Sequence, residues 1–187
     1  MDDAWLVERL LEGDEAAFAA IFERHKAAVY RYAVHMRGRD AGSADDIVQE
    51  VFLAFLRQAG QFDLARGSVA AYLLGIARRQ VFRDLERRRA DHPLDAVDDS
   101  MLIAAPDTDP LAGLTRAETV QLVRAAIRML PPIFRDVVVL CELNDLDYAS
   151  AAAVIGCPLG TVRSRLARAR ALLLKILDQT WKKTSIA

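Results

Sequence analysis

Arginines stand at positions 163, 165, 168 and 170, directly after the turn Gly156-Cys157-Pro158-Leu159-Gly160. Guanidinium groups so spaced hydrogen-bond phosphate oxygens and the acceptor edges of bases; they break no bonds themselves. Gly156 permits the positive φ at which a preceding helix stops, and Pro158 prevents that helix from continuing. Thr161 is the expected N-cap of the helix that follows. On it, Val162, Leu166, Ala169 and Leu173 form one apolar stripe that must pack inward. Arg163, Ser164, Ala167 and Arg168 lie opposite, placed to reach base edges, while Arg165 and Arg170 flank the stripe, where phosphates are the natural contact. From residue 163 onward seven Lys or Arg face a single acid, Asp178, so the helix lacks the partners that would lace it with its own ion pairs. The pattern is that of a helix-turn-helix entering DNA.

Other chemistries lack their residues. Cys141 and Cys157 are too few for a disulfide framework, and no histidine stands at ligand spacing from either, so no zinc or other metal site is expected. Cys141 ends an apolar run and reads as a buried small hydrophobe; Cys157 occupies the turn. His25 and His35 read as partly exposed surface histidines with no acid–base constellation around them. There is no phosphate-cradling glycine loop and no nucleophile paired with a base, so an enzyme is not expected and no cofactor is implied.

The elements that must position these arginines follow from charge and periodicity. Of 187 residues 53% are apolar, enough for a real core, and the net charge is only -1. That sum conceals a partition: residues 1–90 are balanced, residues 91–114 hold six aspartates and no base, and residues 115–187 hold 11 bases against six acids. An all-α chain of two small domains, 1–90 and 115–187, joined by a flexible acidic linker at 91–114 with Pro93, Pro106 and Pro110, is the expectation. No apolar run is long enough for a membrane span and the N-terminus lacks the basic start of a signal peptide, so a cytoplasmic protein without membrane insertion is expected.

The helices can be placed. Leu6, Leu10 and Leu11 mark a short first helix ending near Gly13; Asp14 caps a second, with Phe18, Ile21, Phe22, Val29, Ala33 and Met36 inward. Ser43 begins a third, Ala44 to about Arg57, with Ile47, Val48, Val51 and Phe55 inward. Its other side carries Asp46, Gln49 and Glu50 beside Leu53 and Leu56; this is either a docking surface or a face whose Leu53 packs under a neighbouring helix. After the loop Gln61–Gly67, Ser68 caps a fourth helix to about Arg89, apolar through Val69, Tyr72, Leu73 and Ile76, then basic through Arg78, Arg79, Arg83, Arg87, Arg88 and Arg89. Such a helix can follow a nucleic-acid backbone with Tyr72 available for stacking, or its last arginines can simply complement the helix dipole. Beyond the linker, Thr115–Leu130 places Val120, Val123, Ala126, Ile127 and Leu130 inward and is broken by Pro131-Pro132. Ile133–Glu142 should be the buried helix, and Asn144-Asp145 turns into the short helix Tyr148–Ile155.

With these residues in place, the chain resembles an extracytoplasmic-function sigma factor of the sigma-70 family. The marks are Gly13-Asp14-Glu15-Ala16-Ala17-Phe18, Asp45-Asp46-Ile47-Val48-Gln49-Glu50-Val51-Phe52, Ala71-Tyr72-Leu73-Leu74-Gly75-Ile76-Ala77-Arg78, Leu130-Pro131 and the run Gly156–Arg170. The resemblance implies that residues 1–90 are sigma region 2 and residues 115–187 sigma region 4. It implies partners: core RNA polymerase, met at its clamp coiled coil by Asp46, Gln49, Glu50 and Leu53 and also at its flap; promoter DNA; and an anti-sigma factor, in a stress or envelope response. Phe62, Arg66, Tyr72, Arg78, Arg79 and Arg83 would capture the minus-ten strand. Thr161, Arg163, Ser164, Arg165, Ala167, Arg168 and Arg170 would meet the minus-thirty-five element, and the aspartates of the linker would enter polymerase channels. Tyr72 stands where the family often has tryptophan, Arg79 where asparagine is common, and Ala149-Ser150-Ala151 where a Glu-Glu-Ile pattern is usual.

A different class, a stand-alone repressor or response-regulator effector domain that binds duplex DNA without polymerase, accounts for residues 115–187 equally well. It leaves the acidic third helix, the loop and the fourth helix without a role.

Overall fold

The computed structural model describes residues 2–37, 44–63, 65, 67–91 and 116–184. The expected linker, apart from Asp91, lies outside them, as do the Ser43 cap and Arg66. Every regular element among the described residues is helical, as the periodicity requires.

Helix α1, Asp3–Leu11, starts at Asp2, whose carboxylate accepts the Trp5 amide at 2.9 Å. It buries Leu6, Val7 and Leu10, but Leu11, expected with them, is exposed because it lies beyond the apolar stripe at the helix end. Gly13 adopts φ 90°, a left-handed turn that lets Asp14 cap α2, Glu15–Arg37, through the amides of Ala16 and Ala17. Helix α3, Ala44–Gln58, and α4, Val69–Asp91, complete the first half, with Ser68 capping α4 at the Ala71 amide, 3.2 Å. Ile21, Val29, Tyr32, Val51, Phe55, Val69, Leu73, Ala77 and Val81 form its core. Phe18 and Phe22 meet Phe52 edge-on, and Phe55, Phe62 and Tyr72 form a second aromatic cluster, Phe62 and Tyr72 with centroids 5.0 Å apart.

In the second half, α5, Arg116–Met129, ends before the prolines and buries Ala126 and Ile127. Val120, expected inward, is exposed near its start. The helix expected over Ile133–Glu142 is divided: α6, Pro132–Val138, passes into a wider π-helical turn, Val139–Leu143. That turn leaves two carbonyls to other donors: Asn144 Nδ2 donates to Val139 O at 2.9 Å and Leu146 N to Leu140 O at 3.1 Å. Asp145, at φ 54°, reverses the chain into α7, Tyr148–Ile155, and α8, Leu159–Thr184, follows.

The two halves share one continuous apolar cluster: α7 lies against α4, and α2 against α5, α6 and the π turn. A tether alone would leave them apart; here they are in contact.

Candidate nucleic-acid interface

The turn before α8 is built as its residues require. Asp147 caps α7, accepting the amides of Ala149 and Ser150 at 2.9 Å and the Ser150 hydroxyl at 2.7 Å; the Ser150 side chain and amide hold its carboxyl below the ordinary range. Gly156 closes α7 at φ 74°, and both its amide and that of Cys157 reach Ala152 O. Thr161 is not the N-cap. Helix α8 begins at Leu159, and the Pro158 carbonyl takes the Thr161 and Val162 amides at 2.9 and 3.3 Å, so Thr161 already lies in the first turn. Pro158 has no N–H to lose at that position, and the helix starts three residues earlier than a Thr161 cap would set it.

Val162, Leu166 and Ala169 are buried, which turns Arg163, Ser164, Ala167 and Arg168 outward as one exposed row. Leu173 is half-buried. The exposed Ser164 hydroxyl donates to Thr161 O at 3.1 Å. The two flanking arginines differ. Arg170 pairs with Glu142 at 2.5 Å, which raises its pKa, while Arg165 is half-buried, and its charge acts on Asp136.

On the other half a cavity of about 280 Å³ opens between Phe62, Asp63, Gly67, Tyr72 and Arg79, with Ala153 and Val154 of α7 on its remaining side. The Tyr72 hydroxyl donates to Gln58 Oε1 at 3.2 Å, fixing the ring beside Phe62. Arg79 and Arg83 are exposed on α4. Arg78 is not: it stacks on Phe82 at 4.5 Å, and its Nε donates to Asp136 Oδ2 at 2.8 Å.

Asp136 is the group that sequence reading did not single out. It is 1% exposed, and the buried Tyr32 hydroxyl donates to its other oxygen at 2.7 Å. Burial pushes its carboxyl up against the lowering effect of Arg78 and Tyr32, and burial, then the Asp136 charge, pushes the Tyr32 phenol well up. The available signal was Asp136 standing with Arg135 just ahead of the apolar run Val137–Cys141, a pair of charges that must find partners if that segment is buried. Nearby, Arg135 donates to the carbonyls of Met36 at 3.0 Å, Leu130 at 2.8 Å and Arg128. Arg31 Nε donates to Asn144 Oδ1 at 3.1 Å.

His25 and His35 are not surface groups: each is buried, at 8% exposure. His25 Nε2 meets Asp3 Oδ2 at 2.9 Å. His35 is held below its usual pKa by burial first and then by the charges of Arg124, Arg128, Arg31 and Arg135. Cys141 is half-buried rather than fully buried, and burial pushes its thiol up to about 11. Among the described residues no cluster of potential ligands could hold a metal ion, and no helix is long and apolar enough to cross a membrane.

Helix α3 answers the question about Leu53. Leu53 is 49% and Leu56 45% exposed, beside exposed Asp46, Gln49 and Glu50, so no helix among the described residues covers this face.

Comparisons with known proteins agree with this arrangement. A family model described as Sigma-70 region 2 matches residues 21–91, and one described as Sigma-70, region 4 matches residues 121–173. The chain is 34% identical over 165 residues to the ECF RNA polymerase sigma factor SigC of Mycobacterium tuberculosis, covering 87% of this chain and 84% of that one. It is 32% identical over 185 residues to the ECF RNA polymerase sigma-E factor of Escherichia coli K12, covering 91% of each. Among solved structures, CnrH in complex with the cytosolic domain of CnrY superposes with a TM-score of 0.70 at 27% identity, over 95% of this chain and 97% of that one. RpoE of Bartonella quintana, in complex with the anti-sigma factor NepR, shares the fold with a TM-score of 0.63 at 22% identity, over 87% and 95%. The chain belongs to the sigma-70 family, as an extracytoplasmic-function sigma factor.

Proposed function

We propose that this chain is a promoter-specificity subunit: it binds core RNA polymerase, directs initiation at promoters with minus-ten and minus-thirty-five elements, and performs no catalysis of its own. Residues 1–90 act as region 2, residues 91–114 as the connector and residues 115–187 as region 4. Asp46, Gln49, Glu50 and Leu53 dock on the polymerase clamp. Phe62, Arg66, Tyr72, Arg78, Arg79 and Arg83 take the minus-ten strand, whose extruded base an aromatic-lined cationic pocket can hold against the few kcal/mol of unstacking. Thr161, Arg163, Ser164, Ala167 and Arg168 read the minus-thirty-five major groove, with Arg165 and Arg170 on phosphates.

The observation that carries this reading is the uncovered Leu53 and Leu56 on an acidic helix, in the same chain as the outward arginine row of α8. A stand-alone repressor needs the second feature and has no use for the first. Solved relatives held by CnrY and NepR support an anti-sigma factor as a further partner. The test is run-off transcription with core polymerase and a pool of genomic promoters. Discrete new transcripts that require this protein are expected; duplex binding with no polymerase-dependent transcript would overturn the reading in favour of the repressor.

A further inference from the structure

Where α2 meets α5, cations gather that no described acid answers. Arg31 and His35 stand one turn apart on α2, and Arg124 and Arg128 one turn apart on α5, so each pair shares a face of its helix. Arg135 ties the two faces together: its guanidinium donates to the carbonyl of Met36, next to His35 in the chain, and to those of Arg128 and Leu130 at the end of α5. The charges of Arg124, Arg128, Arg31 and Arg135 all bear on His35, while no carboxylate acts on it. Among the described residues no carboxylate pairs with any of these four arginines; Arg31 donates to the Asn144 side-chain oxygen and Arg135 to carbonyls, all of them neutral.

Their being here to complement helix dipoles covers only part of the charge. The ends of α2 and α5 each supply about half a negative charge, against four full positive ones, which leaves a surplus of about three. Like charges so gathered repel, and the repulsion is least screened at half-buried Arg128 and Arg135. His35 carries a second sign of an unfilled position: the ring is 8% exposed, and its buried Nδ1 finds no hydrogen-bond partner among the described residues.

We propose that this cluster is a binding site for a multivalent phosphate group, as in pyrophosphate or a small polyphosphorylated molecule, held by Arg31, Arg124 and Arg128 with His35 Nδ1. Guanidinium forks match phosphate oxygens in paired hydrogen bonds. A phosphate monoester carries about 1.5 to 2 negative charges near neutral pH, so two linked phosphates match the surplus where a single carboxylate does not. Arg135, already committed to carbonyls, contributes charge. His35 is buried and Arg128 half-buried, a depth that a compact group reaches more readily than the phosphates of a duplex. The site uses none of the residues assigned to DNA or to polymerase.

The experiment titrates sodium pyrophosphate into the full chain by isothermal calorimetry, in phosphate-free buffer at a constant ionic strength of about 0.15 M. Wild type, Arg124→Gln, Arg128→Gln and Arg163→Gln are compared, each verified as helical by circular dichroism. Wild type is expected to bind at one site, Arg124→Gln and Arg128→Gln about tenfold more weakly, and Arg163→Gln, changed on the outward row of α8, as wild type does. Arg124 is exposed, so its replacement leaves packing intact and is decisive if Arg128→Gln does not fold. No binding by wild type, or undiminished binding by helical Arg124→Gln, would overturn the proposal. A random-sequence duplex distinguishes the other source of phosphate: its affinity is expected to be the same for Arg124→Gln and wild type. Equal weakening of duplex and pyrophosphate binding by Arg124→Gln would assign the cluster to the DNA backbone and overturn the site as proposed.

Discussion

The Arg78 guanidinium donates to the Asp136 carboxylate at 2.8 Å, joining α4, the helix proposed to meet the minus-ten strand, to α6, which packs against α8. Arg78 retains 21% of its side-chain exposure and Asp136 only 1%, so the joint lies at the edge of the buried seam, with the acid on the inner side. Tyr32 completes the arrangement from α2 and is itself fully buried.

Removing the acid while keeping its partners should therefore be costly. Asp136→Ala leaves the Tyr32 hydroxyl buried without an acceptor and Arg78 without its carboxylate, a loss of about 3 kcal/mol. Urea unfolding should show this as a lower midpoint, with Asp136→Asn intermediate because it still accepts from Tyr32. Equal midpoints for Asp136→Ala and wild type would remove the joint from the stability of the fold.

Arg168 stands in the outward row of α8, clear of the buried stripe. Arg168→Ala should abolish discrimination at the minus-thirty-five element, an effect of about 1–3 kcal/mol for a bidentate base contact, and leave core-polymerase binding intact. Competition between promoters differing only in that element measures the first, and gel filtration with core polymerase the second. Unchanged selectivity would assign Arg168 to phosphate contact or to none.

Replacing Gln49 and Leu53 together by alanine should weaken polymerase binding by about 2 kcal/mol, since an exposed leucine amid polar neighbours is the kind of anchor an interface buries. Competition against another sigma factor for a limiting amount of core gives the number. DNA affinity should not move, because α3 carries none of the residues assigned to DNA.

A Cβ added at Gly156 meets nothing within 4 Å, so Gly156→Ala isolates the backbone cost of φ 74°. About 1 kcal/mol of destabilisation is expected, with weaker duplex binding as the turn relaxes. Thermal unfolding together with a minus-thirty-five duplex titration tests both; an unchanged melting temperature would mean that the turn accepts another conformation.

His35 gives the fold a pH dependence. Its folded pKa lies below the ordinary 6.5, so as pH falls through about 6.5 the unfolded chain takes up a proton that the folded chain refuses. The stability tied to this neutral ring is fully present above that pH and declines below it. The melting temperature should drop between about pH 7.5 and pH 5.5, and His35→Gln should flatten the drop. A variant whose decline matches wild type would place the sensitivity elsewhere.

Much of the candidate site was legible because its determinants are local. The stripe Val162, Leu166, Ala169 follows from the 3.6-residue period alone, and once it is buried, Arg163 and Arg168 must point outward. The Asp14 and Ser68 caps were equally readable, because each acts on an amide two or three residues away, and so was Gly156 at the end of α7, whose positive φ is a property of that one residue. Thr161 was misplaced as a cap because two local signals compete there and Pro158 sets the start. Leu11 and Val120 were misplaced at helix ends, where periodicity no longer says whether a neighbour arrives to cover a side chain.

By itself the sequence determined most of the helices and the outward face of α8, which rest on residues within a few turns of one another, and the family resemblance, which rests on short motifs each legible on its own. The tertiary structure alone decided that Leu53 is exposed, that His25 and His35 are buried, and that Asp136 meets Tyr32 and Arg78 from 104 and 58 positions away. The physical reason is range: a helical period fixes which side chains share a face, but the burial and partners of a charge depend on which distant segment packs against it.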